Sequence, residues 1–256
     1  MAFVLAAGAA ALPPPVTVTD EVGDAEDAPD IVTVVAASSS GAFTFRVVFS
    51  GAPALTPGVE VVSVLLDADR DETTGPDGFE HAVRADASGG HLEAWRDAVW
   101  EPVAAAGLRS TYAPGVLSLT VPRAALGGSR ATDFLVVAST GDLEVDGTAD
   151  TAPELDQASL VLPTARRVDA SLRPLPPRSG RSVALGPVRV VLSDGSRAPA
   201  SIVVCSASVG GKALRSTGRC TWRLGRDAAG ATLVVQVRAA WEGSQAPSRT
   251  LRARVR

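Results

Sequence analysis

The chain has 256 residues, 46% of them hydrophobic and 20% charged, with a formal net charge of -4. That is apolar material enough for packed cores, and it excludes a disordered polyelectrolyte; the length fits one or two domains. The charge is unevenly divided: 24 acidic against 7 basic residues up to Thr164, then 4 acidic against 17 basic. Such a split predicts two domains with different surfaces. The arginines of the basic half fall on alternate strand positions with no aromatic interleaved. They read as solvated sheet faces or as a surface for docking against the acidic half, and no nucleic-acid partner is expected.

Met1–Leu12, MAFVLAAGAAAL, is apolar but too short to span a bilayer. It resembles the apolar region of a secretory signal, with Ala7, Ala9 and Ala11 suited to cleavage, although the usual basic residues before it are missing. The alternative is a disordered or locally helical tail. The expected localisation is secreted, with no membrane span elsewhere in the chain.

Glycine (24) and proline (18) are frequent, and Val, Thr and Ser dominate the periodic segments. Short strands joined by many turns follow. Strands are expected at Val16–Thr19, Ile31–Ala37 and Ala42–Ser50, the last alternating Phe43, Phe45, Val47 and Phe49 with Thr44, Arg46 and Ser50. Val59–Leu66 is apolar on both faces and reads as a central strand. Further strands are expected at Phe79–Ala85, at His91–Arg96 and Trp100–Val103 as a hairpin around Asp97-Ala98, at Leu108–Tyr112, Val116–Val121, Phe134–Ser139 and Ala158–Leu162. Pro122–Leu126 predicts one helical turn closed by Gly127.

Pro163–Arg178, with four prolines and four arginines, reads as a linker. Ser179–Arg256 then forms a second, smaller unit, with strands at Ser182–Ser193, Ala200–Ser206, Cys220–Leu224, Ala231–Trp241 and Ser248–Arg256. Cys205 and Cys220, the only cysteines, predict one disulfide in an exported protein; two free core thiols are the alternative. The whole reads as all-β: a jelly-roll-like β-sandwich followed by a smaller immunoglobulin-like β-sandwich.

Three pieces of the N-terminal part carry a family resemblance: GDAEDAPDI at Gly23–Ile31; LLDAD at Leu65–Asp69 with Thr74-Gly75 and GFEH at Gly78–His81; and WRDAVWEPV followed by VLSLTVPRAALG. Residues 16–162 resemble the β-sandwich modules related to family-nine carbohydrate-binding modules and DOMON domains. The resemblance implies an exported sandwich, often an accessory to other domains. The DOMON branch includes haem binders with methionine and histidine ligands. Here the only methionine is Met1, so no haem is expected. Residues 179–256 resemble a bacterial immunoglobulin-like repeat.

Three chemistries present themselves. Asp67, Asp69 and Asp71 alternate as the first ligands of a calcium loop do, with Glu80 close behind. Glu72 and Gly78 depart from the EF-hand pattern, so the alternatives are a calcium site with other ligands and a solvated acidic turn built on Asx-turns. Asp24 and Asp30 are further candidates. Trp95, with Trp100 and Tyr112, is a candidate glycan platform or ordinary core packing. No catalytic motif stands out, and His81 shares parity with Phe79 and Val83 as a core histidine would. The expected function is a secreted non-catalytic module, calcium-stabilised and glycan-binding. The alternatives are a structural spacer or protein-interaction protein of the cell exterior, and an accessory part of a secreted hydrolase.

Overall fold

The computed structural model describes residues 13–140, 147–154 and 156–256; the signal-like segment 1–12 lies outside them. The fold is all-β, in two compact units that meet between Leu162 and Pro163 in sequence.

The first unit contains β1 (Val16–Thr19), β2 (Ile31–Ser38), β3 (Ala42–Phe49), β4 (Glu60–Asp67), β5 (His81–Asp86), β6 (Gly89–Arg96), β7 (Val99–Val103), β8 (Arg109–Ala113), β9 (Val116–Pro122), β10 (Ala131–Thr140), β11 (Thr148–Ala152) and β12 (Ala158–Val161). They form two antiparallel sheets, ordered β1-β2-β3-β9-β8 and β11-β10-β4-β5-β6-β7, with β12 also paired to β10. The alternation in β3 does what its sequence asks: Phe43, Phe45, Val47 and Phe49 are buried, Thr44 and Arg46 exposed. The opposing sheet supplies Val62, Val64, Leu66, Val83, Leu92, Phe134 and Val136 to the same core. Phe45 and Phe134 meet edge-to-face across it, with centroids 5.3 Å apart.

β4 is central, between β10 and β5, as its apolar faces predict. The 97–98 turn closes the β6–β7 hairpin with Asp97 and Ala98 both at positive φ, the geometry a two-residue hairpin requires. The turn Arg123–Leu126 is a short 3-10 helix ended by Gly127 at φ 63. Its buried Arg123 donates to the carbonyls of Ser40, Gly128 and Ser129, tying two loops together. The strand expected from Phe79 begins instead at His81. Gly75 has φ +71, and a Cβ there would lie 2.0 Å from the carbonyl oxygen of Phe79, so the chain turns tightly before the strand starts.

The second unit contains β13 (Ala165–Asp169), β14 (Leu172–Arg173), β15 (Ser182–Leu185), β16 (Arg189–Leu192), β17 (Arg197–Pro199), β18 (Ile202–Val209), β19 (Lys212–Ala213), β20 (Ser216–Gly218), β21 (Thr221–Arg223), β22 (Thr232–Trp241), β23 (Ser244–Gln245) and β24 (Arg249–Arg254). Its sheets run β13-β16-β17, β14-β15-β21-β20 and β19-β18-β22-β23, with β24 on β22. Two expectations are corrected. The stretch read as a linker, 163–178, carries β13 and β14, which pair with β16 and β15; Val168 and Leu172 are buried while Arg166, Arg167 and Arg173 face outward. The single strand expected over Ser182–Ser193 is two, because Gly186-Pro187 interrupts the ladder and Pro187 has no N–H to give it. Cys205 and Cys220 form the expected disulfide, with Cα atoms 5.8 Å apart. Trp222 and Trp241 are fully buried. Among the described residues no helix is long and apolar enough to cross a membrane.

Candidate functional site

The acidic loop leaves β4 at Asp67 and returns at β5. Its aspartates first organise their own backbone. Asp67, 1% exposed, accepts from the amides of Arg70 and Asp71. Asp69 accepts from the Asp71 amide at 3.0 Å and the Thr74 hydroxyl at 3.2 Å. Asp71 accepts from the Thr73 amide at 3.0 Å and hydroxyl at 2.7 Å. The bonds of Asp69 and Asp71, each to the amide two residues on, are successive Asx-turns, the local alternative to a repeating strand. Glu80 reaches back from the other end of the loop and accepts from the amides of Ala68 (2.7 Å) and Asp69 (3.2 Å).

One oxygen each of Asp67, Asp69 and Glu80 lies within 4.8 Å of the others. The fourth predicted ligand, Asp71, is not in this group. Its carboxylate faces the Thr73 hydroxyl, which holds its pKa below the usual value. Burial pushes the Asp67 carboxyl up. The second oxygen of Glu80 is buried without a hydrogen-bond partner among the described residues, which is costly for a carboxylate unless something positive meets it.

A second acidic group forms where the loop after β1 meets β11. Asp20, Asp150 and Glu154 converge, as do Asp24, Asp30 and Asp150, each set with oxygens within 4.8 Å. Asp150 is 4% exposed and accepts from the Ile31 amide. Asp30 accepts from the Gly23 amide at 3.0 Å, while its other oxygen and one of Asp20 are buried and without a hydrogen-bond partner among the described residues. Burial, then the charges of Asp150 and Glu154, push Asp20 up to about 6. Asp150 is raised too, chiefly by burial. No basic side chain pairs with these five carboxylates among the described residues. Sequence reasoning singled out Asp24 and Asp30 and missed Asp20, Asp150 and Glu154. Asp150 lies on a strand whose composition, TADTA, shows no clear period.

The third feature is the outer face of the larger sheet. On β6, Leu92 and Ala94 point into the core, so His91, Glu93 and Trp95 point out. Trp95 is directly opposite Trp100 on β7, and their rings pack edge-to-face at 5.3 Å and 65°. Glu93 is held by Arg84 Nε at 2.7 Å and lies 3.1 Å from His91 Nε2. Tyr112 is not part of this face. It sits on β8 in the other sheet, where its hydroxyl donates to the Pro53 carbonyl and accepts from the Gly115 amide. His81 belongs to the inner side of β5, across from Leu66 and Ala94. Neither histidine is hydrogen-bonded to a serine, threonine or cysteine among the described residues. No protein-family model matches the chain, and no curated protein matches it significantly.

Proposed function

We propose that the chain is a secreted, non-catalytic binding protein that holds glycans on the outer face of the larger sheet of its N-terminal unit. The observation that carries this reading is the juxtaposition of the Trp95–Trp100 pair with the Arg84–Glu93–His91 network on one outward face. An indole offers a flat apolar surface to the C–H face of a sugar ring. The charged network beside it offers fixed donors and acceptors for hydroxyls, oriented before the ligand arrives. The disulfide supports an oxidising compartment. The likeness to family-nine and DOMON-type modules belongs to the same proposal.

Calcium fits this reading as a structural ion. A hard cation takes six to eight oxygens, and both acidic groups offer buried carboxylate oxygens, on Glu80, Asp20 and Asp30, that no hydrogen bond uses among the described residues. Asp67, Asp69 and Glu80 would hold an ion at the loop, and Asp20, Asp24, Asp30, Asp150 and Glu154 at the second group. Its contribution would be to neutralise repelling carboxylates and pin loop ends. Screening the protein on an array of plant, bacterial and host polysaccharides, beside Trp95→Ala and Arg84→Ala, tests the platform. Binding lost in both variants is expected; silence of the wild type across the array refutes it.

A further inference from the structure

The second unit has an open sheet edge. β18 pairs with β22 along all eight of its residues. On its other side only Ser208 and Val209 pair with β19, and the Ala207 carbonyl accepts from the Leu214 amide. From Ile202 to Ser206 that side makes no hydrogen bond among the described residues. The stretch, IVVCS, carries no charge, no proline and no bulge, three of the features by which proteins protect an edge. Two of its exposed side chains are aliphatic, Ile202 at 55% and Val204 at 60%.

The charges around this edge have one sign. A depression of about 430 Å³ lies on its outer face, lined by Ile202, Val204, Arg238 and Ala246 among others. A second, of about 270 Å³, lies along Val203 and includes Arg219 and Cys220. Arg219 and Arg238 are exposed and form no ion pair among the described residues. None of the unit's four acidic residues, Asp169, Asp194, Asp227 and Glu242, lines either depression.

We propose that the free edge of β18 docks an extended acidic polypeptide strand. Main-chain groups of the partner would complete the ladder from Ile202 to Ser206, aliphatic side chains at alternate positions would cover Ile202 and Val204, and carboxylates would meet Arg219 and Arg238. Five residues of strand span about 17 Å, so a short segment suffices. The amide ladder selects a polypeptide over an acidic polysaccharide. Self-pairing of two copies through this edge is disfavoured, because it would bring the basic rims of both copies together.

The test uses the full chain and a fluorescent, capped (Glu-Val)4 peptide, read by anisotropy. Saturable binding that weakens with added salt is expected. It should be lost when alternate peptide amides are N-methylated on the pairing edge, absent for (Lys-Val)4, and reduced severalfold or more by Arg238→Glu. Val204→Glu, which sets a carboxylate against those of the peptide at an exposed position, should also abolish it. Equal binding of the lysine peptide, indifference to N-methylation, or no binding at millimolar peptide overturns the proposal. So does self-association that Val204→Lys abolishes in a protein that ignores the peptide, which would assign the edge to a second copy.

Discussion

Replacing Asp20 by asparagine should stabilise the N-terminal unit when no divalent cation is present. Asp20 is partly buried against Asp150 and Glu154, and its pKa rises from 3.8 to about 6. A carboxyl with a raised folded-state pKa contributes stability fully present below its unfolded pKa and lost as pH rises through the folded one. Here the loss runs from about pH 4 to 6 and is complete by pH 8. Taken at face value the shift is worth about 3 kcal/mol. Asp20 retains solvent contact, and screening reduces this to about 1–2 kcal/mol. Differential scanning calorimetry in chelator at pH 8 should therefore place the Asp20→Asn transition about 2–8 °C above wild type. The difference should close as pH falls to 4, where the native carboxyl already carries its proton. In millimolar calcium the order should reverse, because wild type gains the binding energy and the variant lacks a ligand; at a hundredfold excess over Kd that gain is about 2.7 kcal/mol. An Asp20→Asn protein less stable than wild type in chelator at pH 8 would refute the reasoning, since it would mean that the charge is already compensated.

Reducing the Cys205–Cys220 bridge should cost the second unit about 3 kcal/mol, the chain-entropy value for a separation of 15 residues; urea unfolding with and without reductant, followed by the buried Trp222 and Trp241, measures it. Truncating Arg123 to alanine should cost about 3 kcal/mol or more by leaving the carbonyls of Ser40, Gly128 and Ser129 without their donor. Calorimetry of that variant should show the loss in the first unit's transition and leave the second's in place.

Period-two patterning made most of the first unit legible. The Phe43–Phe49 alternation marked a strand buried on one face, and the doubly apolar β4 a central strand, from side chains alone. β11 was not legible, because its polar TADTA is drawn into the sheet by pairing with β10 and by burial of Asp150 and Ala152. The prolines of 163–178 suggested a linker. Their neighbours Val168 and Leu172 have an inward side to fill, and tertiary pairing outweighs local chain breaking there. At the acidic loop, spacing brought out three of the converging carboxylates, Asp67, Asp69 and Glu80. Asp71, grouped with them by spacing, lies outside the converging set and accepts from the neighbouring Thr73 hydroxyl. The second acidic group joins residues more than a hundred positions apart, and no local pattern reports such a meeting. Trp95 and Trp100 were legible as a hairpin pair; Tyr112 was placed with them only by residue type.

The bridge between β18 and the turn before β21 has a mechanical consequence. A polypeptide held at both ends can be pulled on, and a covalent loop cannot lengthen under load. With Cys205 and Cys220 joined, the segment between them stays out of the extended path, so the oxidised unit should unravel to a contour about 50 Å shorter than the reduced one. Redox state would then set how far the molecule can stretch as a tether, and single-molecule force spectroscopy reads that length directly.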